Sequence, residues 1–197
     1  MLPLAIVASY LLGSVPFAVV VTRLMRLPDP RQFGSGNPGA TNVLRSGSRL
    51  AAALTLIGDA GKGAVAVALA GLVGLTAGGA ALCGLAAFAG HAFSVFLRLR
   101  GGKGVATACG VLWIVDWRLG ATVSVVWLAG VVLSRTSSIG ALAAATVAPA
   151  VAWWLVDDAV ATAAVVCMSL VLILRHRGNI QRLLDGTEPR FGGRRAD

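Results

Sequence analysis

Residues 80–107 read AALCGLAAFAGHAFSVFLRLRGGKGVAT: an apolar run to Leu97, three cations between Arg98 and Lys103, then a second apolar run. The run 80–97 carries no Asp, Glu, Lys or Arg and approaches the roughly 20 residues that a helix needs to cross a bilayer. A cationic gap beside such a run marks the cytoplasmic side of a membrane protein. Outward from this stretch the alternation repeats. Apolar stretches run at about 3–22, 51–75, 80–97, 105–115, 119–134, 139–156 and 159–174. The 197 residues are 57% hydrophobic and 13% charged, with a mean hydropathy of +0.82. A soluble domain is about 25% charged, and a disordered chain is far less apolar. The net charge of +9 would suit nucleic acid, but the cations sit in short gaps between apolar runs, so membrane is the partner and no nucleic acid is expected.

Fifteen of the 17 Lys and Arg residues fall in four segments: Arg23 to Arg49, Arg98 to Lys103, Arg135, and the six arginines after 174. The positive-inside rule places these segments in the cytoplasm and leaves the gaps at 76–79 and Asp157-Asp158 outside. Residues 104–134 then cross an even number of times, as two short helices meeting at Asp116-Trp117-Arg118 or as a re-entrant hairpin. Backbone polar groups must be satisfied within lipid, so the spans are helices. The expected fold is all-α, a polytopic integral membrane bundle of about seven transmembrane helices, some short, with the N-terminus out and the C-terminus in. One membrane-embedded domain covers 1–197, with inner polar loops at 23–50, 98–104 and 135–138 and a tail at 175–197. The N-terminal stretch has no basic region before its apolar run and reads as a retained span rather than a signal peptide.

Small residues such as Gly71, Gly74 and Gly78 suit close helix approach. Cys83, Cys109 and Cys167 have no metal-site spacing and read as small core residues. Asp59 and Lys62, spaced i,i+3 in the second stretch, form an ion pair on one helix face or turn toward a polar site. His91 reads as a satisfied packing residue.

Three cytoplasmic segments share one chemistry. The first, Phe33 to Asn42 followed by Arg45, combines three glycines with Ser35, Asn37, Thr41 and Asn42. Such loops make anion-binding nests, to which Arg45 can add a bidentate fork; the same residues also make ordinary turns. The second, Arg100 to Thr107, puts Gly101, Gly102 and Gly104 around Lys103 just before an apolar helix. Phosphate can there reach amide groups and the positive end of the helix dipole. The segment is not a Walker A loop, because Lys103 is followed by Gly104. The third holds His176 between Arg175 and Arg177, whose like charges favour the neutral imidazole as a base or hydrogen-bonding group. The alternative there is a plain positive-inside stop. Ser138, in the short inner gap, carries no assignment by itself. Three anion-binding sets at one face suit two anionic groups. No D-x-x-D, paired carboxylate or H-E-x-x-H pattern is present, so no metal and no cofactor are expected.

These segments resemble the acyl-phosphate:glycerol-3-phosphate acyltransferases of bacteria, the PlsY family. The match runs through Tyr10 to Phe17, Gly34 to Arg45, Asp59-x-x-Lys62-Gly63, Gly90-His91, Gly101 to Thr107 and Arg175 to Glu188. The resemblance implies a multi-pass enzyme of the bacterial inner membrane with its active site at the cytoplasmic face. It would transfer a fatty acyl group from acyl phosphate to glycerol 3-phosphate, giving lysophosphatidic acid and inorganic phosphate in the first acylation of phospholipid synthesis. By the same resemblance, Arg45 and Lys103 hold phosphate with help from Ser35 and Ser138, alongside Gly36, Asn37 and Gly102. His176 and Asn179 orient the glycerol hydroxyls, and the protein acts as a monomer among membrane lipids. Three departures stand out: Ser94 where proline is common, Leu99 where phenylalanine often stands, and Ala141 near a missing second serine. The acyl phosphate is already activated, so the residues must align and stabilise rather than supply a nucleophile. His176 or the donor's own phosphate is the base; the sequence offers no adjacent carboxylate–histidine pair, which favours the phosphate. The rival class is an organic-phosphate transporter, but its binding residues would lie near the midplane and in repeated halves, and no convincing inverted halves are found.

Overall fold

A computed structural model describes residues 1–192, so Arg194 and Arg195 of the expected basic tail lie outside the described residues. The chain forms ten α-helices among these residues: α1 (Leu2–Ser14), α2 (Phe17–Leu24), α3 (Ala40–Leu44), α4 (Arg49–Leu72), α5 (Ala77–Ala92), α6 (Val105–Val115), α7 (Trp117–Ser134), α8 (Ser137–Leu155), α9 (Ala159–Arg175) and α10 (Arg177–Leu184). No strand occurs among the described residues.

Each apolar stretch of the sequence becomes helix, and local chemistry sets the ends. Ser48, Thr76, Asp116 and Asp158 accept backbone N–H bonds at the starts of α4, α5, α7 and α9. A side-chain cap of this kind contributes about 1 kcal/mol. The stretch 3–22 is not one straight span. It breaks at Val15-Pro16 into α1 and α2, inclined by 42°, because proline offers no N–H and pushes the residue before it out of helix geometry. The α4, Ala77–Leu97, α7 and α8 runs are each long and apolar enough to cross a membrane, and counting each bent pair as one span brings the total to six. The seventh apolar segment, α6, rises only about 17 Å over its 11 residues, short of a full hydrocarbon core, so it runs from one end of the bundle to the other only together with its flanking loops.

The loops sort to two ends. At one end, Asp158 accepts from the Gly78 N–H (3.0 Å) and Arg118 donates to the Leu155 carbonyl (3.2 Å). Trp117, Trp153 and Trp154 stand exposed near this end, as expected for an interfacial belt. At the other end lie the loops before α3, before α6 and between α7 and α8, together with α10 and the segment after it. The Phe191 N–H donates there to the Arg135 carbonyl (2.7 Å).

Between the ends, α1 packs on α5, α4 on α6, and α7 on α8. Glycine makes these approaches possible. A Cβ at Gly13 would overlap the Ala87 carbonyl, one at Gly110 the Ala60 carbonyl, and one at Gly130 would press on the Gly140 backbone. Of the three glycines the sequence suggested, Gly78 is closely packed, with Asp158 and Val160 each 2.8 Å from its Cβ position, while Gly71 and Gly74 meet nothing within 4 Å. Of the cysteines only Cys83 is core; Cys109 faces a cavity and Cys167 is exposed. Leu4, Leu72, Leu133 and Leu174 project outward, a surface suited to lipid.

Candidate active site

The first polar loop is held by one buried side chain. Asn42, in α3, accepts the Ser35 N–H (3.1 Å) and donates to the carbonyls of Pro30 (2.6 Å) and Phe33 (3.1 Å). Gly34 sits at φ +59° against that same amide, where a side chain would be strained and would collide. Arg45 closes α3 and lines the cavity described below, as do Ser35 and Asn37. Gly36 does not: its N–H is taken by the Phe33 carbonyl.

The second loop is pinned from two sides. Arg175 donates to the carbonyls of Gly101 (2.6 Å) and Gly102 (3.2 Å), and the Gly102 N–H donates to the His91 carbonyl (3.1 Å). Gly102 therefore has no free backbone donor and does not line the cavity, contrary to the substrate-binding place expected for it. Lys103 does, and its Nζ donates to Asn179 Oδ1 (2.5 Å). Burial lowers the Lys103 pKa to about 8, with Glu188 opposing and the Arg182, Arg45 and Arg175 charges adding to the shift. Next to it, the first turn of α6 begins at Gly104 without any side-chain cap, leaving its amides and its dipole for an anion.

The third segment supplies His176 and Asn179, both buried at the junction of α9 and α10. His176 Nδ1 lies 2.8 Å from the Leu172 carbonyl, which can only accept, so Nδ1 carries the proton and Nε2 presents a lone pair. The imidazole is neutral, its pKa lowered to about 4, chiefly by burial and then by Lys103, against the raising effects of the Leu172 bond and Glu188. The expected direction holds, but burial rather than the flanking arginines is the main cause. Asn179 Nδ2 donates to Glu188 Oε1 (2.5 Å), which also receives Ser138 Oγ (2.8 Å), while Arg182 donates to Glu188 Oε2 (2.7 Å). Burial opposes ionisation of Glu188, yet these three hydrogen bonds hold its pKa below the usual carboxylate range.

Ser35, Asn37, Arg45, Lys103, Ser138, His176 and Asn179 thus meet at the rim of one cavity of about 980 Å³. Below the rim the cavity is apolar, walled by Leu112, Val123, Ala148, Val165 and Met168. Glu188 and Arg182 also belong to the rim, though the sequence assigns them no role; the tail carries Asp185 and Asp197 as well, so nothing local singles out Glu188. Asp59 and His91 reach the cavity as well. Both readings of the Asp59–Lys62 pair hold: an ion pair of 2.7 Å, buried, and an acid facing a polar site. Among the described residues, no group of three or more His, Cys, Asp or Glu side chains is placed to hold a metal ion.

A polar rim over an apolar pocket fits an amphiphile with an anionic head, and known proteins point the same way. The family model described as "Glycerol-3-phosphate acyltransferase" matches residues 3–186. A glycerol-3-phosphate acyltransferase from Laribacter hongkongensis is 53% identical over 195 residues, covering 97% of this chain and 96% of its own length. One from Methylococcus capsulatus is 49% identical over 187 residues, covering 95% and 94%. Among solved structures, the glycerol 3-phosphate form of PlsY, an integral membrane glycerol 3-phosphate acyltransferase, superposes with a TM-score of 0.92 at 33% identity, covering 97% of this chain and 96% of that one. Its lysophosphatidic acid form superposes with a TM-score of 0.89 at 32% identity, covering 97% and 95%.

Proposed function

The chain belongs to the glycerol-3-phosphate acyltransferase family, and from that premise we propose that it transfers a fatty acyl group from acyl phosphate to glycerol 3-phosphate, releasing lysophosphatidic acid and inorganic phosphate. One observation carries this most directly: a rim of Arg45, Lys103, Ser138, His176 and Asn179 opens onto an apolar cavity of about 980 Å³. That volume is at the upper end for small-molecule sites and accommodates a phosphate head with an acyl chain.

Arg45 and Lys103 hold phosphate, with the uncapped first turn of α6 adding its positive end. Ser35 and Ser138 help, and His176 with Asn179 orients the glycerol. Glu188 aims Asn179 and Ser138, since one carboxylate oxygen receives both. The glycerol hydroxyl attacks the acyl carbonyl, the new ester C–O bond forms, and the bond from the acyl carbon to the phosphate oxygen breaks. The hydroxyl proton leaves with the departing phosphate. The α6 amides are the donors that stabilise the developing oxyanion. A neutral His176 with a pKa of about 4 is a weak base, whereas the phosphate gains basicity as its bond to the acyl carbon breaks. The donor's own phosphate therefore takes the proton.

His176→Gln tests this assignment. A general base contributes about 10²- to 10⁴-fold. The expected result is a raised KM for glycerol 3-phosphate with turnover at saturation within about tenfold of the parent, because glutamine keeps a polar atom near the Nε2 position. A loss of about a hundredfold or more in kcat would return the base to His176.

The cationic loops support a rim at the cytoplasmic face of a bacterial inner membrane, with the N-terminus outside and the C-terminus inside. One chain supplies every named rim residue, in keeping with a monomer that acts as a single unit over 1–197. Membrane lipids are its surroundings, and the acyl phosphate reaches the apolar cavity from the inner leaflet.

A further inference from the structure

Beneath the glycine-rich loop lies a buried polar cluster that the transfer reaction does not itself use. Asp59 Oδ1 accepts from Lys62 Nζ at 2.7 Å and lies 3.3 Å from His91 Nδ1. Lys62 also donates to the Val15 carbonyl (2.8 Å) at the α1–α2 bend and sits 5.7 Å over the Phe17 ring. Asp59, Lys62 and His91 are each more than nine-tenths buried. An ion pair on one helix face needs no third member, yet here the carboxylate also reaches across to a histidine on α5.

His91 meets the loop twice. Its carbonyl accepts the Gly102 N–H (3.1 Å), and its ring occupies the place where a Cβ on Gly102 would go. The three atoms nearest to that Cβ position all belong to the His91 ring. Gly102 is not among the glycines of positive φ, so it is the ring, and not the backbone angle, that demands glycine here. Lys103 follows directly, with its amine on Asn179.

We propose that Asp59 and His91 are positioning residues: Asp59 fixes the His91 ring, and the ring sets the height of Gly102 and so the reach of Lys103 toward the substrate phosphate. This rests on the reading of Lys103 as a phosphate-holding group. It predicts a compensating pair. Gly102→Ala forces its methyl against the ring and raises the KM for glycerol 3-phosphate about tenfold, with kcat within about threefold. His91→Asn keeps an amide donor near the Nδ1 position for Asp59 but removes the ring edge, and raises KM about fivefold. The double variant places the methyl in the vacated space and returns KM to within about threefold of the parent, a coupling expected only between groups in contact. Removing both charges with Asp59→Leu and Lys62→Met frees the ring and reproduces the KM rise of His91→Asn.

Steady-state kinetics on the purified protein in detergent or lipid, with melting profiles to establish folding, reads all of these. A double variant as poor as the product of the singles overturns the ring–loop device. If Gly102→Ala does not fold, an unchanged KM in folded His91→Asn overturns it alone. An unchanged KM in folded Asp59→Leu/Lys62→Met removes Asp59 from the device. Lys103→Ala is the separate control: if it leaves the KM unchanged, the phosphate-holding reading of Lys103 has failed, independently of His91.

Discussion

Lys103 leans on Asn179 in a buried loop, and its pKa of about 8 makes its charge sensitive to mild alkali. The group is a cation below that value and neutral above it, so phosphate affinity is full on the acid side and falls as pH rises through about 8. The profile of kcat/KM, which reports the free enzyme, should therefore bend downward near pH 8. Lys103→Arg should remove that limb, since a guanidinium stays charged throughout, at the cost of a poorer fit. His176 should add no inflection between pH 5 and 7, because with a pKa of about 4 it is already neutral there. An alkaline limb that persists unchanged in the arginine variant would assign it to another group. At this scale the sequence was legible in the convergence of Arg45, Lys103, His176 and Asn179, whose motifs predict one shared face and which do line one cavity. Glu188 was not, because its partner Ser138 lies 50 residues away and only the fold joins them. The neutrality of His176 was foreseen but not its main cause, since burial under the α9–α10 junction leaves no mark in local sequence.

Helices α4 and α6 meet where Gly110 lies against the Ala60 carbonyl, and this contact seats α6 and the loop before it. Gly110→Ala must separate the two helices, and overpacking of this kind costs about 1–3 kcal/mol. A lower melting temperature and weaker glycerol 3-phosphate affinity are expected together. Gly61 lies in α4 as well, but nothing stands within 4 Å of its Cβ position. Gly61→Ala should be neutral or should stabilise by about 0.5–1 kcal/mol through helix propensity. Equal melting shifts for the two alanines would mean that the Gly110 contact does not seat α6. Apolar runs gave away every membrane helix, with ends within a few residues of those observed. The 42° bend at Val15-Pro16 is masked in the sequence, where the run 3–22 is continuous in hydropathy and only the proline marks it. Of the glycines singled out in the sequence only Gly78 makes a close contact, since Ala- and Gly-rich helices present small residues on several faces and only packing selects one.

Across the whole molecule, cationic loops gather at one end and tie to one another, while Asp157, Asp158 and the exposed tryptophans mark the other. Of the 17 cations, only Lys62 and Arg118 fall outside the four basic segments; Lys62 is paired within α4 and Arg118 is paired with Asp116. This sorting was legible from charge placement alone, because insertion itself reads those charges. In a background without the three native cysteines, a membrane-impermeant thiol reagent should label Asp157→Cys in intact spheroplasts and Gln32→Cys only after lysis. The reverse pattern would invert the orientation and move the rim to the outer face. The apolar cavity below the rim was beyond sequence reasoning, since its walls come from α6, α7, α8 and α9 and each contributes only a few residues. It is this cavity, joined to a phosphate-holding rim, that makes acyl transfer the central claim. The most direct test is to incubate the purified protein with palmitoyl phosphate and glycerol 3-phosphate and to follow lysophosphatidate and phosphate release, with acyl-CoA as an alternative donor and Lys103→Ala alongside. The account predicts equal amounts of both products from acyl phosphate only, with the rate sharply reduced in the variant. Transfer from acyl-CoA at a comparable rate, or no product from a folded sample, would contradict it.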